Sequence, residues 1–348
     1  MSDKIARGFD IGFGCTKVSS STVKRNGGHD VVCMPSLVSQ WQDKEMDTGL
    51  AKLSLINVKY GGDNFAVGPD IMHVIKGNTN NLPHINFYYS SKFKILFLAA
   101  LALAEIPKHG KLSLATIGLP LEAKANKAIC EHLKKTLAGA HKVPDISHPE
   151  KTRLIDVEQV ITIAQPIGTL ISQSLDSSQK IIEEDKKTLI IDIGYGTVCW
   201  IVSDGLKLMP WRSGDCFGGA SSIISSIISK NYPKGIANIN LQLSVDRAIR
   251  ENKKYLTMNG DQYETESFAG IIADSTQNFL NIMSRQLGDT SDIDKIIVTG
   301  GGLHLYKESI ALFFGGREIL VPKREPRFEN VRGFQLLAQS QLETHSEQ

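Results

Sequence analysis

The first half of the chain contains the stretch GFDIGFGCTKV at residues 8–18, and the second half contains LIIDIGYGTVCW at residues 189–200. In each stretch an apolar run ends in an aspartate, Asp10 or Asp192, and a glycine turn leads into a second apolar run. Glycine lets backbone N–H groups approach an anion closely, and aspartate can hold a hydrated divalent cation. A single glycine turn is an ordinary hairpin. Because the two turns have nearly the same sequence, we predict duplicated domains that face one nucleotide.

A third glycine cluster, Gly300 to Gly302, follows the strongly apolar run Ile296 to Val298. A junction between strand and helix without side chains leaves room for a flat ring and presents N–H groups. Together with two phosphate-binding hairpins, this cluster predicts a segment that binds a purine.

Composition limits the classes of protein that the chain can belong to. Its 348 residues fit two domains of ordinary size, and 41% hydrophobic with 22% charged residues is typical of a folded protein. The net charge of +2, without a basic stripe, gives no reason to expect direct nucleic-acid binding. The scattered cysteines lack CxxC or CxxH spacing, which favours free thiols in a reducing cytoplasm over disulfides or zinc.

Nothing in the sequence indicates a membrane partner. The N-terminus lacks the apolar region of a signal peptide, and the tail at residues 343–348 is polar. The most apolar helix candidate, residues 95–104, has about half of the roughly 20 residues needed to cross a bilayer. We therefore expect a buried core helix there and a cytoplasmic location.

Strands and helices alternate in both halves, which predicts α/β layers. We expect a first domain at residues 1–175 with an inserted subdomain at about 37–145. A second domain is expected at 176–334 with an insertion at about 215–265, and a C-terminal helix at 335–348 is expected to pack on the first domain. Further predicted elements are a turn at 78–81, helices at 91–106, 121–139 and 242–256, a strand through Trp211, and a last helix at about 333–343.

These segments resemble the actin, sugar-kinase and chaperone ATPase superfamily over essentially the whole chain. Its five motifs occur in order, as phosphate 1 (9–18), connect 1 (160–171), phosphate 2 (189–199), adenosine (296–303) and connect 2 (328–338). Within the superfamily the chain looks most like the ParM/StbA plasmid-segregation actins and the archaeal actin-like proteins. The residues that carry this closer match are Asp10 to Lys17, Gly118 to Leu121, Gln165 to Gly168, Asp192 to Thr197, Gly214 with Asp215, and Phe328 to Phe334.

The resemblance implies an α/β fold of duplicated actin-like (ribonuclease H-like) domains with a nucleotide cleft between them. The implied ligands are ATP, with GTP as an alternative, and Mg²⁺. Sites of this kind hydrolyse ATP mainly by positioning and electrostatics.

The resemblance also implies roles for individual residues. Asp10 would hold Mg²⁺ through water, and Lys17 would neutralise phosphate charge. Asp192 would join the metal site and orient or deprotonate the attacking water, while Gln165 would position that water. The remaining implied nucleotide contacts are Gly12, Phe13, Gly14, Cys15, Thr16, Gly194, Tyr195, Gly196, Thr197, Gly300, Gly301 and Gly302, with Arg250 and Glu251 near the ribose.

Simpler interpretations of several residues stay open at this point. Lys17 could be a solvated strand residue, Gln165 could cap a helix before Pro166, and Arg250 with Glu251 could form an exposed helix face. We expect His304 at the surface, and Trp200 and Trp211 as packing residues. One departure from the family pattern is Cys199, which stands where many relatives have aspartate; we expect catalysis to survive it.

Three functions remain in view. The first is an actin-like ATPase that forms nucleotide-dependent filaments from copies of itself. It would segregate plasmid DNA through a DNA-binding adaptor of the ParR type bound to a centromere-like site. The second is a small-molecule kinase for a sugar or an acid, for which Asp145 and Asp156 are the nearby candidate bases. The third is an archaeal or phage cytoskeletal protein or a non-polymerising scaffold.

Overall fold

The computed structural model describes residues 4–24, 28–41, 53–75, 84–107, 110–175 and 185–344. Contacts divide the chain into two compact units, of which the first contains Met1–Lys76, His84–Lys180 and Asn330–Gln348 and the second contains Ile181–Glu329. The boundary predicted at 175/176 adjoins residues 176–184, which lie outside the described residues. The turn predicted at 78–81 and the end of the tail, 345–348, lie outside the described residues.

The first unit is built on one mixed sheet and two small sheets. Its strands are β1 (Ala6–Ile11), β2 (Cys15–Lys24), β3 (Gly28–Pro35), β4 (Ser39–Gln40), β5 (Ile56–Tyr60), β6 (Asp63–Val67), β7 (Lys111–Leu112), β8 (Leu114–Leu119), β9 (Gly139–Pro144), β10 (Thr152–Val157) and β11 (Val160–Ala164). Its helices before the second unit are α1 (Ser91–Leu103), α2 (Leu121–Ala125), α3 (Lys127–Leu137) and α4 (Gln165–Gln173). The main sheet has the order β11-β8-β1-β2-β3, and the small sheets have the orders β7-β10-β9 and β4-β6-β5.

Helix α1 is the core helix of the first unit. Its residues from Ile95 to Ala102 are all buried, as expected for a core helix and not for a membrane span. It begins at Ser91 because the hydroxyl of Ser90 accepts a hydrogen bond from the Phe93 N–H at 3.2 Å. The single helix predicted at 121–139 is interrupted at Asn126, whose side-chain oxygen accepts from Ala128 N–H and Ile129 N–H and so starts a new helix.

The second unit repeats the arrangement of a central strand between one parallel and one antiparallel neighbour. Its strands are β12 (Lys187–Ile193), β13 (Thr197–Asp204), β14 (Lys207–Leu208), β15 (Gly214–Phe217), β16 (Tyr255–Met258), β17 (Asp261–Glu264) and β18 (Lys295–Thr299). Its helices are α5 (Ala220–Asn231), α6 (Ile239–Arg250), α7 (Ala269–Leu287) and α8 (Leu303–Phe313). Strand β12 is antiparallel to β13 and parallel to β18, just as β1 is antiparallel to β2 and parallel to β8.

Three local predictions in the second unit are wrong. The helix predicted at 242–256 starts earlier, at Ile239, because the Asn238 side chain accepts from the Leu241 N–H, and it ends at Arg250. A strand does not continue through Trp211, since residues 210–212 form a 3₁₀ turn. Trp200 is fully buried, as predicted, but Trp211 is 67% exposed and is not a packing residue.

The last helix, α9 (Glu329–Thr344), begins before the predicted residue 333 and packs on the first unit through glycines. A Cβ atom on Gly333 would stand 1.8 Å from the carbonyl oxygen of Gly168, and one on Gly118 would stand 2.3 Å from the Phe334 ring. Thr169 Oγ1 also donates to Asn330 Oδ1 at 2.7 Å. The glycines of the connect motifs are therefore explained by close packing of α9 against α4 and β8.

Two further properties bear on the class of protein. Across the described ranges, no helix is both long enough and apolar enough to span a membrane. All five cysteines fall within these ranges, and none of them forms a disulfide there.

Candidate functional site

The two aspartate-glycine hairpins close in the same way. In the first hairpin, Gly12 N–H donates to Cys15 O at 3.1 Å, and in the second, Gly194 N–H donates to Thr197 O at 2.9 Å. The repeated sequence motif thus corresponds to a repeated backbone hydrogen bond. Because these two N–H groups are bonded within their turns, binding an anion through Gly12 or Gly194, as expected from the sequence, would require the turn to open.

Asp10 is held from two sides at the end of β1. Its Oδ2 atom accepts from Lys17 Nζ at 2.6 Å, and its Oδ1 atom accepts from Gln165 Nε2 at 2.8 Å. Gln165 is the first residue of α4, but the residue at the cap position is Ala164 and no side chain caps the helix. The capping interpretation of Gln165 is therefore wrong, and in this structure its amide orients the Asp10 carboxylate.

Lys17 is not a solvated strand residue, because only 15% of its side chain is exposed. Burial lowers the pKa of Lys17, but the charges of Asp10, Cys33 and Cys15 and the hydrogen bond to Asp10 outweigh it, so the pKa is raised. Lys17 is consequently an ammonium group at any physiological pH. It is a fixed positive charge beside the first glycine turn.

Each hairpin belongs to a row of three residues that lie side by side on neighbouring strands. In the first unit the row is Asp10, Lys17 and Cys33, and in the second unit it is Asp192, Cys199 and Asp215. The departure at Cys199 thus places a thiol where the first unit has an ammonium group. It also places Asp215, for which the sequence predicted no role, in the same row as the buried Asp192.

The glycine cluster packs against the second hairpin. Gly300 has a φ of +97°, and a Cβ atom on it would stand 2.3 Å from Ile193 O and 2.6 Å from Asp192 Oδ1. Gly302 N–H donates to Ile193 O at 2.9 Å. A Cβ on Gly301, in contrast, would meet only Arg327 Cβ, at 3.8 Å. The structure therefore brings the predicted phosphate and adenosine segments together, with an open face at Gly301.

The two weaker candidates lie at the end of α6. Arg250 NH1 donates to Asp246 Oδ2 at 2.8 Å, and Glu251 Oε2 lies 3.1 Å from Lys253 Nζ. Both side chains are exposed, which fits the interpretation as an exposed helix face. Their neighbour Asp246 has a second partner, since its Oδ1 atom lies 3.1 Å from His304 Nε2. His304 is only 17% exposed, so its expected place at the surface is wrong.

The middle residue of each glycine turn is aromatic and anchors the turn within its own unit. The Phe13 ring lies 5.0 Å from the Phe87 ring, and Tyr195 donates from its hydroxyl to Gln242 Oε1 at 2.9 Å. Sequence reasoning missed Phe87 and Gln242. For Gln242 a signal existed, because it precedes Asp246 and Arg250 at intervals of four residues on one helix.

The two candidate bases for a kinase have structural explanations. Asp145 Oδ1 accepts from Ser147 N–H at 2.9 Å and stabilises an exposed turn. Asp156 lies in β10, where it pairs with Ala140 and Lys111 of the neighbouring strands. Neither placement favours a small-molecule kinase.

Two of three comparisons with known proteins found similarity to actin-like proteins, and the third found no match. Residues 8–168 match the family model described as the N-terminal domain of actin-like proteins. No curated protein matches the chain in sequence. Among solved structures, an archaeal actin homologue in complex with ADP is 18% identical with a TM-score of 0.69, covering 97% of this chain and 99% of that chain.

Two ParM structures are similar at the same level. Apo ParM from psk41 is 18% identical with a TM-score of 0.69 and full coverage of both chains. A 15-stranded ParM filament from Clostridium botulinum is 18% identical with a TM-score of 0.75, covering 97% of this chain and 99% of that chain. The chain therefore has an actin-like fold, as the motifs predicted, and the predicted likeness to ParM-type proteins is confirmed at the level of the fold.

Proposed function

We propose that this chain is a nucleotide-dependent, filament-forming ATPase of the actin-like class. The observation that carries the proposal is the pair of similar hairpins. The two have nearly the same sequence and the same backbone hydrogen bond across the turn, and in each an aspartate lies near the end of the buried first strand. The fold, which this chain has in common with ParM proteins and an archaeal actin homologue, supports the same proposal.

The ligand that we propose is a magnesium nucleotide. Asp10 and Asp192 would hold Mg²⁺, because carboxylates are ligands that this ion prefers, and the ion would neutralise phosphate charge. Lys17 adds a fixed positive charge that suits the phosphates. Asp192 would orient the attacking water, and Gln165 would act on it through Asp10. The open face at Gly301 is where a purine ring would lie, and we propose ATP over GTP as the nucleotide.

The biological setting that we propose is plasmid segregation in the cytoplasm. Filaments made of copies of this chain would push or pull plasmid DNA through a DNA-binding adaptor of the ParR type at a centromere-like site. The near-neutral net charge of +2 supports an adaptor over direct DNA binding. An archaeal or phage cytoskeletal role would use the same ATPase and polymer without that adaptor.

The purine site is tested with a fluorescent ATP analogue and two alanine variants. Gly301→Ala should weaken binding about tenfold or more, because its methyl group would occupy the face where the ring lies. Gly270→Ala is the matched control, since a Cβ there meets nothing within 4 Å. Equal affinity of Gly301→Ala and the wild type would place the purine elsewhere.

Polymerisation is tested by sedimentation with ATP, with ADP and without nucleotide over a range of protein concentrations. We expect pelleting that depends on ATP and reverses as phosphate is released. Asp192→Asn should keep ATP-dependent pelleting but release phosphate on the order of a hundredfold more slowly. A chain that binds ATP yet never pellets would contradict the filament and leave a nucleotide-binding scaffold.

A further inference from the structure

One face of α6 carries three polar residues that are not accounted for by packing. Gln242, Asp246 and Arg250 are spaced four residues apart, so they lie on the same face of the helix. The apolar residues Val245 and Ala248 are buried on another side. We refer to Gln242, Asp246 and Arg250 as the polar strip of α6.

The first residue of the strip is attached to the second glycine turn. Tyr195, the middle residue of that turn, donates its hydroxyl proton to Gln242 Oε1 at 2.9 Å. Gln242 Nε2 in turn donates to Ile236 O at 2.5 Å, just before α6. The amide of Gln242 is thereby fixed at both ends. Any movement of Tyr195 must either break this hydrogen bond or move the start of α6.

The second residue of the strip is attached to the glycine cluster. Asp246 Oδ1 lies 3.1 Å from Nε2 of His304, which is the second residue of α8 and follows Gly302. Asp246 Oδ2 accepts from Arg250 at 2.8 Å. The side of the site that would hold the purine therefore contacts α6 through this close pair of side chains, one helical turn beyond the hydrogen bond of the phosphate side.

We propose that the polar strip of α6 couples the two ends of the nucleotide site, with Tyr195, Gln242 and Asp246 as positioning residues. The inference rests on the nucleotide binding proposed above. The backbone of the turn is held separately by α5, since Ser221 N–H donates to Tyr195 O at 2.8 Å and Ala220 N–H donates to Gly194 O at 3.1 Å. When the phosphate beside the turn is lost, the side-chain attachment transmits the displacement to α6 and from there to His304.

Hydrogen–deuterium exchange of residues 236–250 and of the start of α8, residues 303–306, tests this coupling in the full chain. Exchange is compared without nucleotide, with ADP and with a non-hydrolysable ATP analogue, all at saturating concentrations. In the wild type we expect slower exchange with the ATP analogue than with ADP. Tyr195→Phe removes only the hydroxyl group, and it should reduce that difference on the order of fivefold, as expected for one hydrogen bond. Asp246→Asn should keep the response at residues 236–242 and weaken it at the start of α8.

The matched control is Tyr263→Phe, because Tyr263 also donates a hydroxyl hydrogen bond within the second unit, to Asn231 O at 3.5 Å, but that hydrogen bond involves neither the turn nor the strip. Tyr263→Phe should exchange like the wild type in all three states. If Tyr195→Phe binds both nucleotides and retains the full difference between them, the coupling is wrong while nucleotide binding stands. A wild-type chain that binds no nucleotide would overturn the proposed function itself.

Discussion

Lys17 lies opposite Asp10 across the first hairpin, with 2.6 Å between Nζ and Oδ2, whereas Cys199 occupies the matching place opposite Asp192 in the second. The duplicated hairpins are therefore alike in backbone and unlike in charge. The first row contains an acid and a base, and the second contains two acids on either side of a thiol. Of these two rows, only the row of the first unit contains a fixed positive charge.

Replacing Lys17 by methionine should destabilise the first unit. The Asp10 carboxylate is nearly inaccessible to water and would keep only the Gln165 amide as a charge-stabilising partner. Breaking a buried ion pair on one side typically costs about 3 kcal/mol, so urea denaturation should show a loss of that order. The double variant Lys17→Met/Asp10→Asn removes both charges and should recover part of the loss. Unchanged stability of Lys17→Met would contradict the buried pair.

The packing of α9 predicts opposite effects of two glycine-to-alanine changes. Gly333→Ala should destabilise the chain by about 1–3 kcal/mol, because its Cβ would collide with backbone atoms of Gly168 that cannot rotate away. Gly270→Ala, in the open first turn of α7, should be stabilising by about 0.5–1 kcal/mol, since alanine suits a helix better than glycine. Thermal unfolding of both variants checks the pair, and equal midpoints would refute the close crossing.

Asp292 should make stability depend on pH in the acid range. Hydrogen bonds from the buried Arg212 and from Lys187 lower the pKa of Asp292 to about 2. An unfolded chain protonates this carboxyl near pH 4, so the stabilisation is present above about pH 4 and is lost as the pH falls to about 2. The gap in unfolding midpoint between wild type and Asp292→Asn should therefore close over that interval. A constant gap would mean that the interaction between Arg212 and Asp292 does not depend on the charge of the carboxylate.

Lys94 should make stability rise with pH in the alkaline range as well. Burial lowers its pKa to about 8, and its Nζ atom donates to Thr136 O. An unfolded lysine keeps its proton up to about pH 10.4, so the unfolded state binds more protons in between and stability should rise with pH. Lys94→Met should flatten this rise, and Lys92→Met should flatten it further, because burial lowers the pKa of Lys92 to about 8 as well. A fall in stability between pH 8 and 10 would contradict the burial of these amines.

The hairpins and the glycine cluster could be predicted from the sequence because their requirements are local. A turn that leaves no room for side chains requires glycine. At position 300, for example, a Cβ atom would overlap Ile193 O. Helix ends were less predictable. The apolar periodicity of α6 runs on past Arg250, whereas the helix ends there and Leu256 belongs to β16.

Contacts between distant positions could not be predicted. The pairing of His304 with Asp246 depends on how α8 lies against α6, and a single histidine gives no sign of it in the sequence. The place of Asp215 depends on the register of β15 against β13. A shift of one residue in that register would move its side chain to the other face of the sheet. Trp211 shows that the burial of a single apolar residue is hard to predict from sequence, because a large side chain after a proline can lie on either side of a turn.

The path of the chain has a consequence for biosynthesis. The strand surfaces around Gly8 and Gly118 are made early, but the helix that covers them, α9, leaves the ribosome only after the entire second unit. Until then the nascent first unit exposes a groove lined by backbone and the partly formed core around it. The amino-terminal half can therefore complete its packing only after α9 has been synthesised, which makes this intermediate a natural client for molecular chaperones.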